Sequence, residues 1–206
     1  MTHSNRKINQ LTPTNEDTLG PYYPISLCDQ DSMNMTKVRS GIVHEAMGEK
    51  IIIKGCVRDK NGSLAHGCLL EFWQPNANGV YRTPDTEAGE QIDPWFYGYA
   101  RHRTVDGNFE LKTIKPGVND ALDQPRAPNI TLTIFSDGIM RVVTQLFFDD
   151  EESNQNDPLL LSIPKEFRKR LMMKAMTRAD DGTVIYNIEI RMAGEDETPF
   201  FDDLLS

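Results

Sequence analysis

Dipeptides that put Asn or Asp before glycine, among them Asn61-Gly62, Asn78-Gly79, Asp106-Gly107 and Asp181-Gly182, punctuate the chain. Such pairs reach positive φ cheaply and close tight turns between strands. Between them run short stretches of alternating side chains. Residues 50–58 hold Ile51-Ile52-Ile53 and Val57, and residues 68–73 follow Asn61-Gly62 as the expected returning strand of a hairpin. Residues 108–114 alternate until Lys115-Pro116-Gly117 stops them. In residues 129–135, Ile130, Leu132 and Ile134 share a face, and residues 141–148 set Val143, Gln145 and Phe147 opposite Val142, Thr144, Leu146 and Phe148. Asp181-Gly182 is expected to join the later part of residues 171–179 to a long strand over 183–192. Convincing helical material is confined to residues 158–176, expected as two pieces broken at Pro164. At least six strands on short turns, with one short helical insertion, predict an all-β chain folded as a β-sandwich.

Length and charge narrow the function. A chain of 206 residues with 38% hydrophobic residues supports one core. Residues 18–206 therefore read as a single domain. Residues 1–17, polar and containing Pro13, read as an arm that is mobile or held by a partner. In between, Thr18-Leu19-Gly20-Pro21-Tyr22-Tyr23-Pro24 packs one glycine, two prolines and two tyrosines into a segment suited to fixed extended backbone. With 31 acidic against 22 basic residues and a net charge of -9, the chain has no basis for gripping nucleic acid or an anionic membrane. Residues 1–10 lack the apolar stretch of a secretion signal, and the longest apolar runs, such as Leu159-Leu160-Leu161, are far too short to span a bilayer. A cytoplasmic, soluble protein is expected. The three cysteines form no C-x-x-C; Cys56 and Cys68 flank the expected hairpin and could approach, but read more simply as small buried hydrophobes of a reducing compartment.

Catalytic equipment is scarce. A metal site on a strand calls for two histidines at i, i+2, and the four histidines, His3, His44, His66 and His102, offer no such pair. Asp149-Asp150-Glu151-Glu152 lacks the alternating oxygens and central glycine of a calcium loop and reads as a solvated acidic turn. No nucleophile elbow, phosphate-binding glycine loop or reactive cysteine motif occurs.

Several segments taken in order nevertheless carry a resemblance. They are Gly20-Pro21-Tyr22, the run Glu71-Phe72-Trp73-Gln74-Pro75-Asn76-Ala77-Asn78-Gly79-Val80-Tyr81, Thr113-Ile114-Lys115-Pro116-Gly117, Ala127-Pro128-Asn129-Ile130-Thr131-Leu132, Leu146-Phe147-Phe148-Asp149-Asp150-Glu151, and the ending from Gly194 to Asp202. Together they resemble the intradiol ring-cleaving dioxygenases from about residue 12 onward, and most closely the alpha chain of the two-chain members. The resemblance implies an enzyme that uses O2 to cut a catechol ring between its hydroxyls, giving a cis,cis-muconate. It implies Fe(III) held by two tyrosinates and two histidines, a donor set suited to ferric iron. In two-chain members the beta subunit carries that iron, the alpha chain has the same fold with a degenerate site, and active sites lie where the chains meet.

Position by position, the iron-free role fits. Asn129-Ile130-Thr131 stands where the iron-bearing chain has His-x-His, and Val118-Asn119 where it has a tyrosine after Lys-Pro-Gly. Tyr81 lies near the other tyrosine's region but several residues early by spacing. The resemblance assigns substrate contact in the partner's site to Thr18, Gly20, Pro21 and Tyr22, where glycine permits close approach, proline fixes φ and tyrosine offers a wall with a polar tip. A rigid subunit contact without substrate is the alternative. Asp137, in Phe135-Ser136-Asp137-Gly138, replaces an arginine that family alpha chains place beside the site. Reversing that charge at about 8 Å and an effective dielectric near 20 matters by roughly 2 kcal/mol per unit charge. A substituted catechol other than the usual carboxylated one is therefore a possible substrate, unless a partner arginine, Arg126 or Arg141 compensates. Two other readings stand beside this one: a transthyretin-like binding module without activity, and a single-chain dioxygenase with displaced ligands. Expected partners are an iron-bearing beta subunit in an alpha–beta hetero-oligomer, a catechol and O2.

Overall fold

The computed structural model describes residues 30–37, 45–83, 91–120, 124–136 and 140–201. Within them the all-β expectation holds. The strands are β1 (Lys50–Arg58), β2 (Leu69–Trp73), β3 (Tyr99–Arg103), β4 (Asn108–Ile114), β5 (Asn129–Ser136), β6 (Met140–Phe148), β7 (Met172–Arg178) and β8 (Val184–Arg191). They hydrogen-bond in the order β3-β2-β5-β6-β7-β8-β1-β4. The sheet curls until its two halves face each other, so that Phe72 of β2 meets Phe109 of β4 with ring centroids 5.3 Å apart.

Alternation in the sequence becomes burial in the fold. Ile51, Ile53 and Val57 of β1, Leu111 of β4 and Ile130, Leu132 and Ile134 of β5 point into one core and are almost completely buried. Each such side chain contributes about 1.5–3 kcal/mol by leaving water. A second, smaller cluster gathers Ala127, Phe147, Leu160, Ile163 and Leu171 beneath the helical insertion. That insertion is two short helices, α1 (Pro158–Ser162) and α2 (Lys165–Arg168), split at Pro164 as expected.

Edge strands β3 and β4 close the order, and residues 30–37 lie across both. The Met35 amide donates to the Lys112 carbonyl at 2.8 Å, Asn34 pairs in parallel with Lys112, and the Ser32 hydroxyl donates to the Arg101 carbonyl. Covering two edges with one's own chain removes templates for unwanted pairing.

Two sequence expectations are corrected. The Asn61-Gly62 turn exists, with the Gly62 amide on the Asp59 carbonyl at 3.1 Å, but it does not return β1 onto β2. β1 pairs antiparallel with β4 and parallel with β8, whereas β2 crosses to the other half between β3 and β5. Turn chemistry sets a reversal but not which strand comes next to which. The helical expectation over 158–176 is overturned from Met172 onward. There the chain is β7, docked parallel on Phe147 and Phe148 and antiparallel on β8, because Met173 is needed in the core. Cys56 and Cys68 form no disulfide, in line with the simpler reading of the sequence: the Cys56 thiol lies 4.0 Å from Glu189 and the Cys68 thiol 3.7 Å from the Ser136 hydroxyl. The arm at 1–17 lies outside the described residues.

Candidate functional site

The loop that follows β2 lies directly on the segment that follows β4. Gln74, buried, donates to the Ile114 carbonyl at 3.0 Å and accepts from the Thr113 hydroxyl at 2.7 Å. The Asn76 side chain accepts from the amides of Asn78 at 2.9 Å and Val80 at 3.1 Å, which winds the loop into a tight knot. Gly79 has φ of 79°, and a Cβ there would stand 1.9 Å from the Val118 carbonyl oxygen. Glycine is required twice over at this contact, for its conformation and for its lack of a side chain.

The knot delivers Tyr81 onto the outer face of β2 and β5. Cross-strand register aligns Tyr99, Trp73, Thr131 and Gln145 in one row. Tyr81 stacks on Trp73 at 5.8 Å with an interplanar angle of 11°, and Tyr99 meets Trp73 edge-on at 6.3 Å. The Tyr81 hydroxyl is hydrogen-bonded to Thr131 beside the Arg126 guanidinium. Burial raises its pKa, against the opposing pull of Arg126 and Thr131, so it stays a neutral phenol.

Arg126 is committed within the same cluster. Its Nε donates to Asp157 Oδ2 at 2.9 Å, and its terminal nitrogen donates to Gln145 Oε1. Asp157 also accepts from the Ala127 amide at 2.9 Å and, as the N-cap of α1, from the Leu159 and Leu160 amides at 3.0 Å each. Asn129 donates to the Ala127 carbonyl at 2.7 Å, while its buried Oδ1 has no partner. Backbone pairing of Asn119 with Arg126 ties the segment after Lys115-Pro116-Gly117 to the same place.

Thus Asn129, Thr131, Tyr81 and Asn119, scattered in sequence, converge. The glycine knot is what lays Tyr81 against Trp73 and Thr131. Arg126, Gln145 and Asp157 join the cluster through side-chain bonds that no motif announced, although Gln145 lies on the outward side of an alternating strand. Among the described residues no group of three or more His, Cys, Asp or Glu is placed to hold a metal ion. Thr18, Gly20, Pro21, Tyr22 and Asp137 lie outside the described residues. The strand pair flanking Asp137 is described, with Ser136 opposite Met140 and Phe135 opposite Arg141.

A family model described as Dioxygenase matches residues 19–194. The protocatechuate 3,4-dioxygenase alpha chain of Pseudomonas putida is 35% identical over 204 residues, 95% of this chain and 98% of that one. This chain belongs to the intradiol ring-cleaving dioxygenase family. The protocatechuate 3,4-dioxygenase beta chain of Burkholderia cepacia is 33% identical over 162 residues, covering 75% of this chain and 69% of that one. In fold, it is similar to 3-chlorocatechol 1,2-dioxygenase from Rhodococcus opacus 1CP, with a TM-score of 0.59 at 19% identity over 84% of this chain and 70% of that one. Family membership removes the reading as an unrelated binding module.

Proposed function

We propose that this chain is the iron-free alpha subunit of a two-chain intradiol dioxygenase of the protocatechuate 3,4-dioxygenase type. Its role is to complete the active site of an iron-bearing beta subunit that cleaves a catechol with O2. The donor set at Asn129, Thr131 and Tyr81 carries this reading. An amide and a hydroxyl at Asn129 and Thr131, with the Arg126 guanidinium beside the one phenol of Tyr81, do not fit Fe(III), which needs anionic oxygen and imidazole donors. Iron is therefore held by the partner, and no chemical step is assigned to this chain's own cluster. The similarity to alpha and beta chains of one enzyme supports an alpha–beta hetero-oligomer. Thr18, Gly20, Pro21 and Tyr22 are the proposed contribution to the partner's substrate pocket, as a narrow backbone approach bounded by a tyrosine ring. Asp137 is the proposed specificity determinant, disfavouring a carboxylated ring and favouring an uncharged or cationic substituent.

Co-expression with an iron-bearing beta chain from the same organism tests the reading. The complex should be red-brown, contain iron and cleave catechols between the hydroxyls, whereas this chain alone should be colourless and iron-free by metal analysis. A coloured, active homo-oligomer of this chain would show that its own cluster binds iron and would overturn the proposal.

A further inference from the structure

β3 and β4 follow one another through a turn at 104–107 yet pair with different neighbours, β2 and β1, so the two strands splay apart. Residues 30–37 bridge the gap farther from the turn, between the Arg101 carbonyl and Lys112. Nearer the turn a cavity of about 560 Å³ remains, within the range of small-molecule sites, roughly 300–1,000 Å³. Met33 of the bridging segment, Phe109 of β4 and the bare backbone of Gly55 on β1 give it apolar walls. The Phe109 ring is fixed there. It meets Phe72 at 5.3 Å, and it lies so close to Gly55 that a Cβ at that position would stand 2.3 Å from its Cζ. Only glycine at 55 lets the ring lie against β1.

Among the described residues, the polar groups around this cavity are committed elsewhere, with one exception. Lys54 and Glu110 pair at 3.2 Å at the exposed mouth, and Asn108 gives its amide, at 3.1 Å, and its side chain to Asp106. His102, half-buried on β3, makes no hydrogen bond to any described residue. Burial lowers its pKa and outweighs the opposing pull of Asp106, so at neutral pH the ring is uncharged, with one nitrogen to donate and one to accept. A polar group taken partly out of water without a partner is costly, and a ligand that supplies one is favoured.

We propose that this cavity is a binding site for a neutral two-ring phenol, whose rings pack between Met33 and Phe109 and whose hydroxyl pairs with His102. An aromatic wall and a thioether favour an aromatic body over an aliphatic one. One uncommitted imidazole calls for one hydroxyl, which can donate or accept. The ion pair at the mouth is balanced: a carboxylate meets Glu110 and an amine meets Lys54, so neither charge is favoured. A single ring would leave most of the volume empty. The site is built by this chain alone and stands whichever subunit holds iron.

Titration of the full chain with 2-naphthol, followed by the ligand's fluorescence, should saturate with Kd below about 1 mM. In NMR spectra of the histidine side chains, the His102 ring signals should move on binding. Those of His66, exposed and 3.0 Å from the Val105 carbonyl, should not. Naphthalene, which lacks the hydroxyl, should bind about fivefold more weakly, the worth of one hydrogen bond. The anion 2-naphthoate should bind no better than 2-naphthol. His102→Phe should erase the preference for 2-naphthol over naphthalene, with circular dichroism showing the fold retained. If that variant does not fold, the wild-type ratio and the His102 signals decide. Failure to saturate, saturation that leaves the His102 signals in place, equal binding of naphthalene, tighter binding of 2-naphthoate, or a preference that survives in folded His102→Phe would each overturn the proposal.

Discussion

Arg126 and Asp157 are joined at 2.9 Å across the junction between β5 and α1, with the Asp157 side chain wholly shut off from solvent. The carboxylate also takes three backbone amides, so one residue caps the helix, starts β5 and holds the cation of the candidate site. Asp157→Ala leaves the Arg126 guanidinium and those amides without their acceptor. Losing one partner of a buried pair costs about 3–5 kcal/mol. Urea unfolding should show that loss, and Arg126→Gln should lose less, because the three amides still satisfy the carboxylate.

Gly79 and Gly62 share φ of 79° but differ in surroundings, since nothing lies within 4 Å of a Cβ at Gly62. Gly62→Ala should therefore lose only the cost of left-handed backbone, about 1–2 kcal/mol. Gly79→Ala adds a collision with the Val118 carbonyl, for which overpacking costs about 1–3 kcal/mol more. Because the same knot sets Tyr81 on Trp73, Gly79→Ala should also change the near-ultraviolet circular dichroism of the aromatic stack, and Gly62→Ala should not.

Alkaline pH should destabilise the fold through Tyr186 and Lys115. Burial and the hydrogen bond to Asp150 push the Tyr186 phenol from 10.0 up to about 12. Burial works against the Lys115 charge, but Glu151, Tyr186 and Asp150 outweigh it and hold the ammonium above its ordinary value. Both shifts are upward. Their stabilisation is full below the unfolded values and lost as pH rises through the folded ones. Unfolding free energy should fall between about pH 10 and 12, and Tyr186→Phe should flatten that part of the profile. A decline of the same size in Tyr186→Phe would exclude the phenol as its source.

In the assembled enzyme, Asp137→Arg should raise kcat/KM for a carboxylated catechol relative to unsubstituted catechol by about tenfold or more, from roughly 2 kcal/mol per unit charge near the site. An unchanged ratio would remove Asp137 from substrate selection.

The strands were legible wherever one face is buried and the other is wet, because alternation then records the fold directly. Residues 129–135 and 141–148 appear as β5 and β6 within a residue or so at each end. β3 was not anticipated. Its outward Tyr99, Arg101 and Arg103 pack against β2 partners, and its short run of five residues, inward Ala100 and His102 included, is too mixed to signal a strand. The later part of β7 was legible as the segment that Asp181-Gly182 joins to β8, but its start was hidden by methionines, lysine and alanine, which suit a helix as well as a strand until β6 and β8 supply their edges. In the site, Asn129 and Thr131 were legible as two side chains at i, i+2 on one strand face. What meets them was not, since Tyr81, Arg126, Gln145 and Asp157 come together only after the loop, two strands and a helix end have been assembled.

The sequence by itself determined the class of fold, through hydrophobic alternation and glycine turns, and the family, through motifs in fixed order. It also determined the absence of a histidine pair on β5, since a strand cannot supply side chains it does not encode. Tertiary structure alone decided that β1 neighbours β4 and β8 rather than β2, and that Tyr81 reaches Thr131. Local chemistry fixes where the chain turns and which side of a strand is apolar. Which strands share an edge, and which polar groups must then satisfy one another in the dark, is settled by the packing of the whole core.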